Sequence, residues 1–106
     1  MKILVALLLC LCVSCASLTP SNKRAEHIIH SYFKDYAKKY PTTPFGEKGV
    51  EKVEIISQKQ LRKNYSAADA YVYLKTGDII QVDATLQKKA IMWKLLSWEN
   101  PYNEEQ

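Results

Sequence analysis

Ala70-Tyr-Val-Tyr-Leu-Lys-Thr-Gly-Asp-Ile-Ile-Gln-Val-Asp-Ala-Thr-Leu86 reads as two strands joined by a tight turn. Ala70, Val72 and Leu74 alternate with Tyr71, Tyr73 and Lys75, the period of a strand with one face in a core. Thr76-Gly77-Asp78 is a turn signal, so the following strand folds straight back. In that strand Ile80, Val82, Ala84 and Leu86 alternate with Gln81, Asp83, Thr85 and Gln87. The expected core face of the sheet is therefore Val72, Leu74, Ile80, Val82, Ala84 and Leu86.

Outward from this hairpin the period changes only once. Toward the C-terminus, Lys88-Lys89 is the expected reversal, and Ile91-Met-Trp-Lys-Leu-Leu-Ser-Trp98 the last strand, before Asn100-Pro101 and a polar, acidic tail. Toward the N-terminus, Val50-Glu-Lys-Val-Glu-Ile-Ile56 reads as a strand. Residues 57–64 stay open between one helical turn capped by Ser57 and a simple bend. Residues 41–49, with two prolines and two glycines, read as a loop. Before it, Ala25, Ile28, Ile29, Tyr32, Phe33, Tyr36, Ala37 and Tyr40 fall at spacings of three and four, which draws one apolar stripe on a helix. Ser21 or Asn22 is the expected N-cap, and Pro41 ends the element by disfavouring helical geometry at Tyr40. The predicted fold is α+β: one amphipathic helix on an antiparallel meander of three or four strands.

The N-terminus carries a different kind of information. Lys2 precedes an unbroken apolar run over residues 3–13, which as a helix spans roughly 16 Å, about half a bilayer's hydrocarbon core. That length suits a cleaved secretory signal rather than a permanent span. The run ends in Leu11-Cys-Val-Ser-Cys15, which resembles the bacterial lipobox, with Ser14 as the small residue before the cysteine and Cys12 where Leu is usual. The resemblance implies that Cys15 is acylated and becomes the new N-terminus, with fatty acyl chains such as palmitate holding the protein at a membrane. The alternative is ordinary cleavage after Ala16. Ala16, rather than Asp, beside the cysteine implies delivery to the outer membrane, facing the periplasm. The expected organisation is a signal peptide over 1–14, a lipidated tether over 15–22, one domain over 23–99 and a tail over 100–106.

Cys10, Cys12 and Cys15 are the three cysteines of the 106-residue chain. Cleavage before Cys15 leaves no second thiol, so neither an internal disulfide nor a Cys-based metal site is expected. The formal charge of +4 falls to +3 without Lys2, a modest excess and no nucleic-acid signature. His27 and His30 lie three apart on the polar side of the helix, a spacing more often solvated than metal-binding. No Gly-x-Ser-x-Gly elbow, phosphate loop or dinucleotide fingerprint occurs. The expectation is a non-catalytic protein with no metal and no cofactor.

The outer sheet face is the expected binding surface. Tyr71, Tyr73 and Asp83 point away from the core, and the last strand, apolar on both faces, adds either Met92, Leu96 and Trp98 or Ile91, Trp93 and Leu95. Aromatic and Met side chains ringed by polar ones suit a protein partner in the envelope. Homodimerisation through this face, or its cover by residues 57–66 or the tail, are the alternatives. Tyr32, Tyr36 and Tyr40 are expected in the core and its rim.

With signal, helix and meander in place, the chain resembles small bacterial lipoproteins with a cystatin-like or NTF2-like α+β domain. The residues carrying this, over about 22–99, are Tyr32-Phe33 and Tyr36, Val53-Glu-Ile-Ile56, Asp69-Ala-Tyr-Val72, Gly77-Asp78 and Trp93-Lys-Leu-Leu-Ser-Trp98. A single long helix favours the cystatin-like variant, since NTF2-like members usually have more helices around a conical pocket. The resemblance implies a membrane-tethered binding or scaffold module. Its alternative is a small periplasmic inhibitor or ligand-binding lipoprotein presenting Thr42-Thr-Pro-Phe-Gly46 or residues 59–64 as a projecting loop.

Overall fold

A computed structural model describes residues 19–101. The expected signal segment and Cys15 lie outside the described residues, as does the tail from residue 102. The fold is α+β, as the alternation and the helical stripe predict. One long helix, α1 (Asn22–Lys39), packs on a four-stranded antiparallel sheet. A short helix, α2 (Pro44–Lys48), leads into β1 (Val50–Arg62), β2 (Tyr65–Leu74), β3 (Ile79–Lys89) and β4 (Met92–Glu99), paired in chain order as a meander.

Helix α1 starts where its capping chemistry puts it. Ser21 Oγ accepts from Arg24 N–H at 3.1 Å, and Lys38 and Lys39 lie in the last turn, where cations favour the dipole. Ala25, Ile29 and Phe33 are fully buried, with Ile28, Tyr32, Tyr36 and Ala37 packed beside them and Tyr40 exposed. Beneath them lie Val53 and Ile55 of β1, Ala68, Ala70, Val72 and Leu74 of β2, and Val82, Ala84 and Leu86 of β3. The expected core face is thus buried, apart from Ile80, which is half-buried.

Four elements differ from the sequence reading. The stretch 41–49 is not all loop: Thr43 Oγ1 accepts from Gly46 N–H at 3.3 Å and Pro44 stands in the first turn, so α2 forms and seats Phe45 in the core. Residues 57–62 are neither a helical turn nor a bend. They continue β1, which carries irregularities at Glu51, Ile56 and Leu61 where the register with β2 slips by one residue. Strand β3 runs through Lys89, so the chain reverses at Ala90-Ile91 rather than at Lys88-Lys89. Residues 20–22 are docked rather than tether: Gln58 Nε2 donates to Pro20 O at 2.9 Å and to Asn22 Oδ1 at 2.8 Å.

The fourth strand decides which aromatics face the helix. Leu95 pairs with Leu86 and Ser97 with Thr85, so Leu96 is an extra residue, a β-bulge. The bulge resets the alternation. Trp98, opposite Ala84, consequently faces the helix together with Leu95, although strict alternation puts them on opposite faces. Its ring meets Phe33 at 4.9 Å, Tyr36 at 5.5 Å and Phe45 at 5.9 Å, and its Nε1 donates to Tyr32 Oη at 3.2 Å. No helix among the described residues is long and apolar enough to cross a membrane.

Candidate binding face

The side of the sheet away from α1 has no helix over it among the described residues. Register places its side chains in cross-strand rows. Tyr73 lies opposite Ile79, Tyr71 opposite Gln81, Asp69 opposite Asp83, and Asp83 opposite Glu99. Two kinds of surface result, an aromatic–aliphatic one near the β2–β3 turn and an acidic row across β2, β3 and β4.

Tyr71 and Tyr73 meet edge to face at 6.5 Å. Tyr73 is held from both sides: its hydroxyl donates to Glu54 Oε1 at 2.7 Å, and Lys52 Nζ lies 4.8 Å from its ring centroid. The hydrogen bond to Glu54, followed by burial, holds the Tyr73 hydroxyl above its usual pKa, so it stays a neutral donor. Tyr71 at 36% and Ile79 at 53% exposure stand open beside it. One tyrosine is therefore a rigid post, and its neighbours are free apolar surface.

The acidic row carries strain of a different sort. Burial first, and then a hydrogen bond and charge repulsion from Asp69, raise the Asp83 pKa, with Glu99 adding to the effect. Asp83 Oδ1 is buried without a hydrogen-bond partner. Ser57 Oγ donates to Asp69 Oδ2 at 3.4 Å. Carboxylates directly opposite each other destabilise an antiparallel pair. Because the folded pKa of Asp83 lies above the unfolded value, the folded state binds the extra proton. Stability should then fall as pH rises from about 4 through the folded pKa. Asp83→Asn should remove that decline, raising the urea midpoint at neutral pH and leaving it unchanged in acid; equal midpoints at both pH values would contradict this.

Beside the row, Leu61, Ala67, Asp69, Asp83, Thr85 and Ser97 line an open concavity of about 580 Å³. Its chemistry is that of an acceptor for hydrogen-bond donors and cations, bordered by apolar side chains. No family model matches the chain, and neither curated proteins nor solved structures give a match.

The six residues expected on this surface divide. Tyr71, Tyr73 and Asp83 share it as expected. Met92 and Leu96 are exposed on β4, Met92 also lining the groove between α1 and β4. Trp98 is a correction: the bulge at Leu96 turns it to the helix side, into the cluster of Phe33, Tyr36 and Phe45. Ile79, Asp69 and Glu99 were missing from the expectation. Ile79 escaped because it begins its strand directly after a turn, and the two acids because their partners become visible only with the register. His27 and His30 line a shallow groove with Glu26 and Lys52, and no group of three or more His, Cys, Asp or Glu among the described residues is placed to hold a metal ion. The stretch Thr42-Thr-Pro-Phe-Gly46 does not project as an inhibitor loop, since Phe45 stacks on Phe33 at 4.6 Å.

Proposed function

We propose that this chain is a lipid-anchored module of the bacterial envelope that holds a protein partner against its helix-free sheet face. Cys15 supplies the anchor, and the face is displayed toward the periplasm. The observation supporting it is the adjacency of exposed Tyr71 and Ile79 to the Asp69–Asp83–Glu99 row. Apolar side chains beside a row of carboxylates, with Asp83 Oδ1 lacking a partner, suit a partner that offers an apolar contact with Lys or Arg next to it. Keeping like charges opposite one another costs stability, a cost that makes sense where a bound cation relieves it.

The test is photo-crosslinking in native membranes from a probe placed at Tyr71, with a probe at Lys34 on the outer side of α1 as control. The expected result is one discrete adduct from position 71, absent from position 34 and lost on Ile79→Glu in a protein that retains its circular dichroism. An adduct of twice the chain mass identifies a homodimer instead. Identical adduct patterns from both positions would contradict the proposal.

A further inference from the structure

We propose a second surface, at the end of the sheet formed by the β1–β2 and β3–β4 turns, that docks on the anionic headgroups of a phospholipid bilayer. Three segments of chain meet there. Gln58 ties Pro20 and Asn22 at the start of α1 to β1. Lys88 N–H donates to Asn64 O at 2.9 Å, which joins the two turns. Arg24 and His27 line one groove with Met92, Trp93 and Lys94.

Each segment contributes cations. Lys23 and Arg24 stand in the first turn of α1, Arg62 and Lys63 at the β1–β2 turn, and Lys88 and Lys89 at the end of β3, with Lys59 and Lys94 next to them. Over residues 19–25, 56–68 and 84–98 there is no Asp or Glu; the bordering acids are Glu26, in one groove with Lys23, and Asp69, Asp83 and Glu99, which share a concavity with Leu61. Elsewhere the signs are mixed, as in the Lys48–Asp78 ion pair at 2.9 Å and the neighbouring Lys52 and Glu54. A basic excess of this kind, with its acids set back from the turns, is attracted to an anionic surface within about a Debye length, roughly 10 Å at 0.1 M salt.

The same end exposes apolar side chains at its tips. Leu61 is 49% exposed beside Arg62, and Ile91 and Met92 are 86% and 60% exposed between Lys89 and Lys94. The residue choice at the second tip is independent evidence. Ala90 adopts φ +56, a left-handed conformation that favours Gly or Asn, and β-branched Ile91 follows it. The other two turns obey the usual chemistry, with Asn64 at φ +68 and Gly77 at φ +97. Nothing in the packing of the domain accounts for an aliphatic pair at that apex. Insertion into the boundary between headgroups and acyl chains does, with the flanking lysines reaching phosphates.

The placement toward a bilayer rests on the anchoring proposed above. From Cys15 to Pro20 the chain reaches at most roughly 18 Å, and it emerges at this end of the domain. A lipid at Cys15 therefore holds the basic tips, rather than the Lys48–Asp78 end, against the membrane.

The experiment uses the full chain purified from membranes and reconstituted on vesicles of phosphatidylcholine alone, or mixed in equal parts with phosphatidylglycerol. Flotation reports the anchor, and lysine-reactive labelling read by mass spectrometry reports docking. On phosphatidylglycerol vesicles, labelling of Lys63, Lys88 and Lys89 should slow about fivefold or more, the factor that a surface potential gives to a single nearby charge. Lys38 and Lys39, at the far end of α1, should label equally on both. Raising salt to about 1 M, where screening acts within about 3 Å, should abolish the protection. Lys88→Glu with Lys89→Glu should restore labelling of Lys63, as should Lys89→Glu alone to a lesser degree, and Ile91→Ser should weaken its protection; Lys89 and Ile91 are exposed and Lys88 is half-buried. A chain that floats on both vesicles but labels alike on each overturns the docking while leaving the anchor intact. If the chain fails to float on neutral vesicles the anchor falls, and flotation on phosphatidylglycerol alone then supports docking while its absence overturns it. Protection that tracks protein concentration on both vesicles marks a second copy, and this too overturns the proposal.

Discussion

Phe33→Ala is expected to lower the unfolding free energy by about 3–5 kcal/mol, a large share of the roughly 5–15 kcal/mol that stabilises a typical domain. Phe33 is fully buried and sits where helix, α2 and sheet converge. Its ring meets Phe45 at 4.6 Å, Trp98 at 4.9 Å, Tyr32 at 5.1 Å and Tyr36 at 5.9 Å. Aromatic pairs in these stacked and edge-on arrangements add to simple area burial. The surrounding rings are planar and locked by one another, so they collapse poorly into the space left behind, and the cost belongs at the upper end of the range. Urea unfolding followed by circular dichroism, together with the emission maximum of Trp98 in a Trp93→Phe background, measures it. A loss under about 1 kcal/mol would mean that the aromatic cluster is not the keystone of the core.

Gly46→Ala should destabilise by about 1–3 kcal/mol, opposite in sign to the usual gain of about 0.5–1 kcal/mol when a helical glycine becomes alanine. A Cβ at Gly46 would lie 2.5 Å from Pro41 Cα and 2.6 Å from Tyr40 O. Both are backbone atoms and neither can rotate away. The end of α1 and the start of α2 would have to separate, and Phe45, which is adjacent in sequence, would be lifted off Phe33. A red shift of Trp98 emission should therefore accompany the loss, because Phe45 also meets the Trp98 ring at 5.9 Å. An alanine variant as stable as the parent, with unchanged emission, would refute the close approach.

Much of this architecture can be read from hydrophobic period alone, for a physical reason. In α1, in β2 from Ala68 onward and in β3 up to Leu86 the inward residues are aliphatic or aromatic and the register is regular, so burial and pattern coincide over Ala25, Ile29 and Phe33 and over Val72, Leu74, Val82 and Leu86. Where they separate, a backbone irregularity or a polar interior is responsible. Extra residues at Ile56 and Leu61 shift the phase of β1 twice, which dissolves the alternation beyond Ile55. The inward positions there are also polar. Ser66 Oγ donates to Gln58 Oε1 at 3.3 Å, and Gln58 in turn donates to Pro20 O and Asn22 Oδ1 at the start of α1, so hydrogen bonds replace apolar contacts at that end of the core. No hydropathy signal marks such a site.

The candidate face is legible to the same degree. Tyr71, Tyr73 and Asp83 follow from alternation in two regular strands, whereas Trp98 was misplaced by a single bulged residue, Leu96. The Asp69–Asp83–Glu99 row required the register of three strands, and the basic end required knowing that Asn22, Asn64 and Lys88 lie together. Both are properties of assembly. Thr43-Pro44, by contrast, is a readable helix start, an N-cap followed by a proline at the first position, which the surrounding prolines and glycines disguised as loop.

Both proposed surfaces take their orientation from the attachment at Cys15. Mass spectrometry of the native N-terminus tests that attachment directly. The account predicts a chain whose first residue is Cys15, its sulfur carrying a diacylglyceryl group and its amine blocked. A protein that keeps Met1 and a free thiol at Cys15, or one that begins at Ser17 with no lipid, would contradict it.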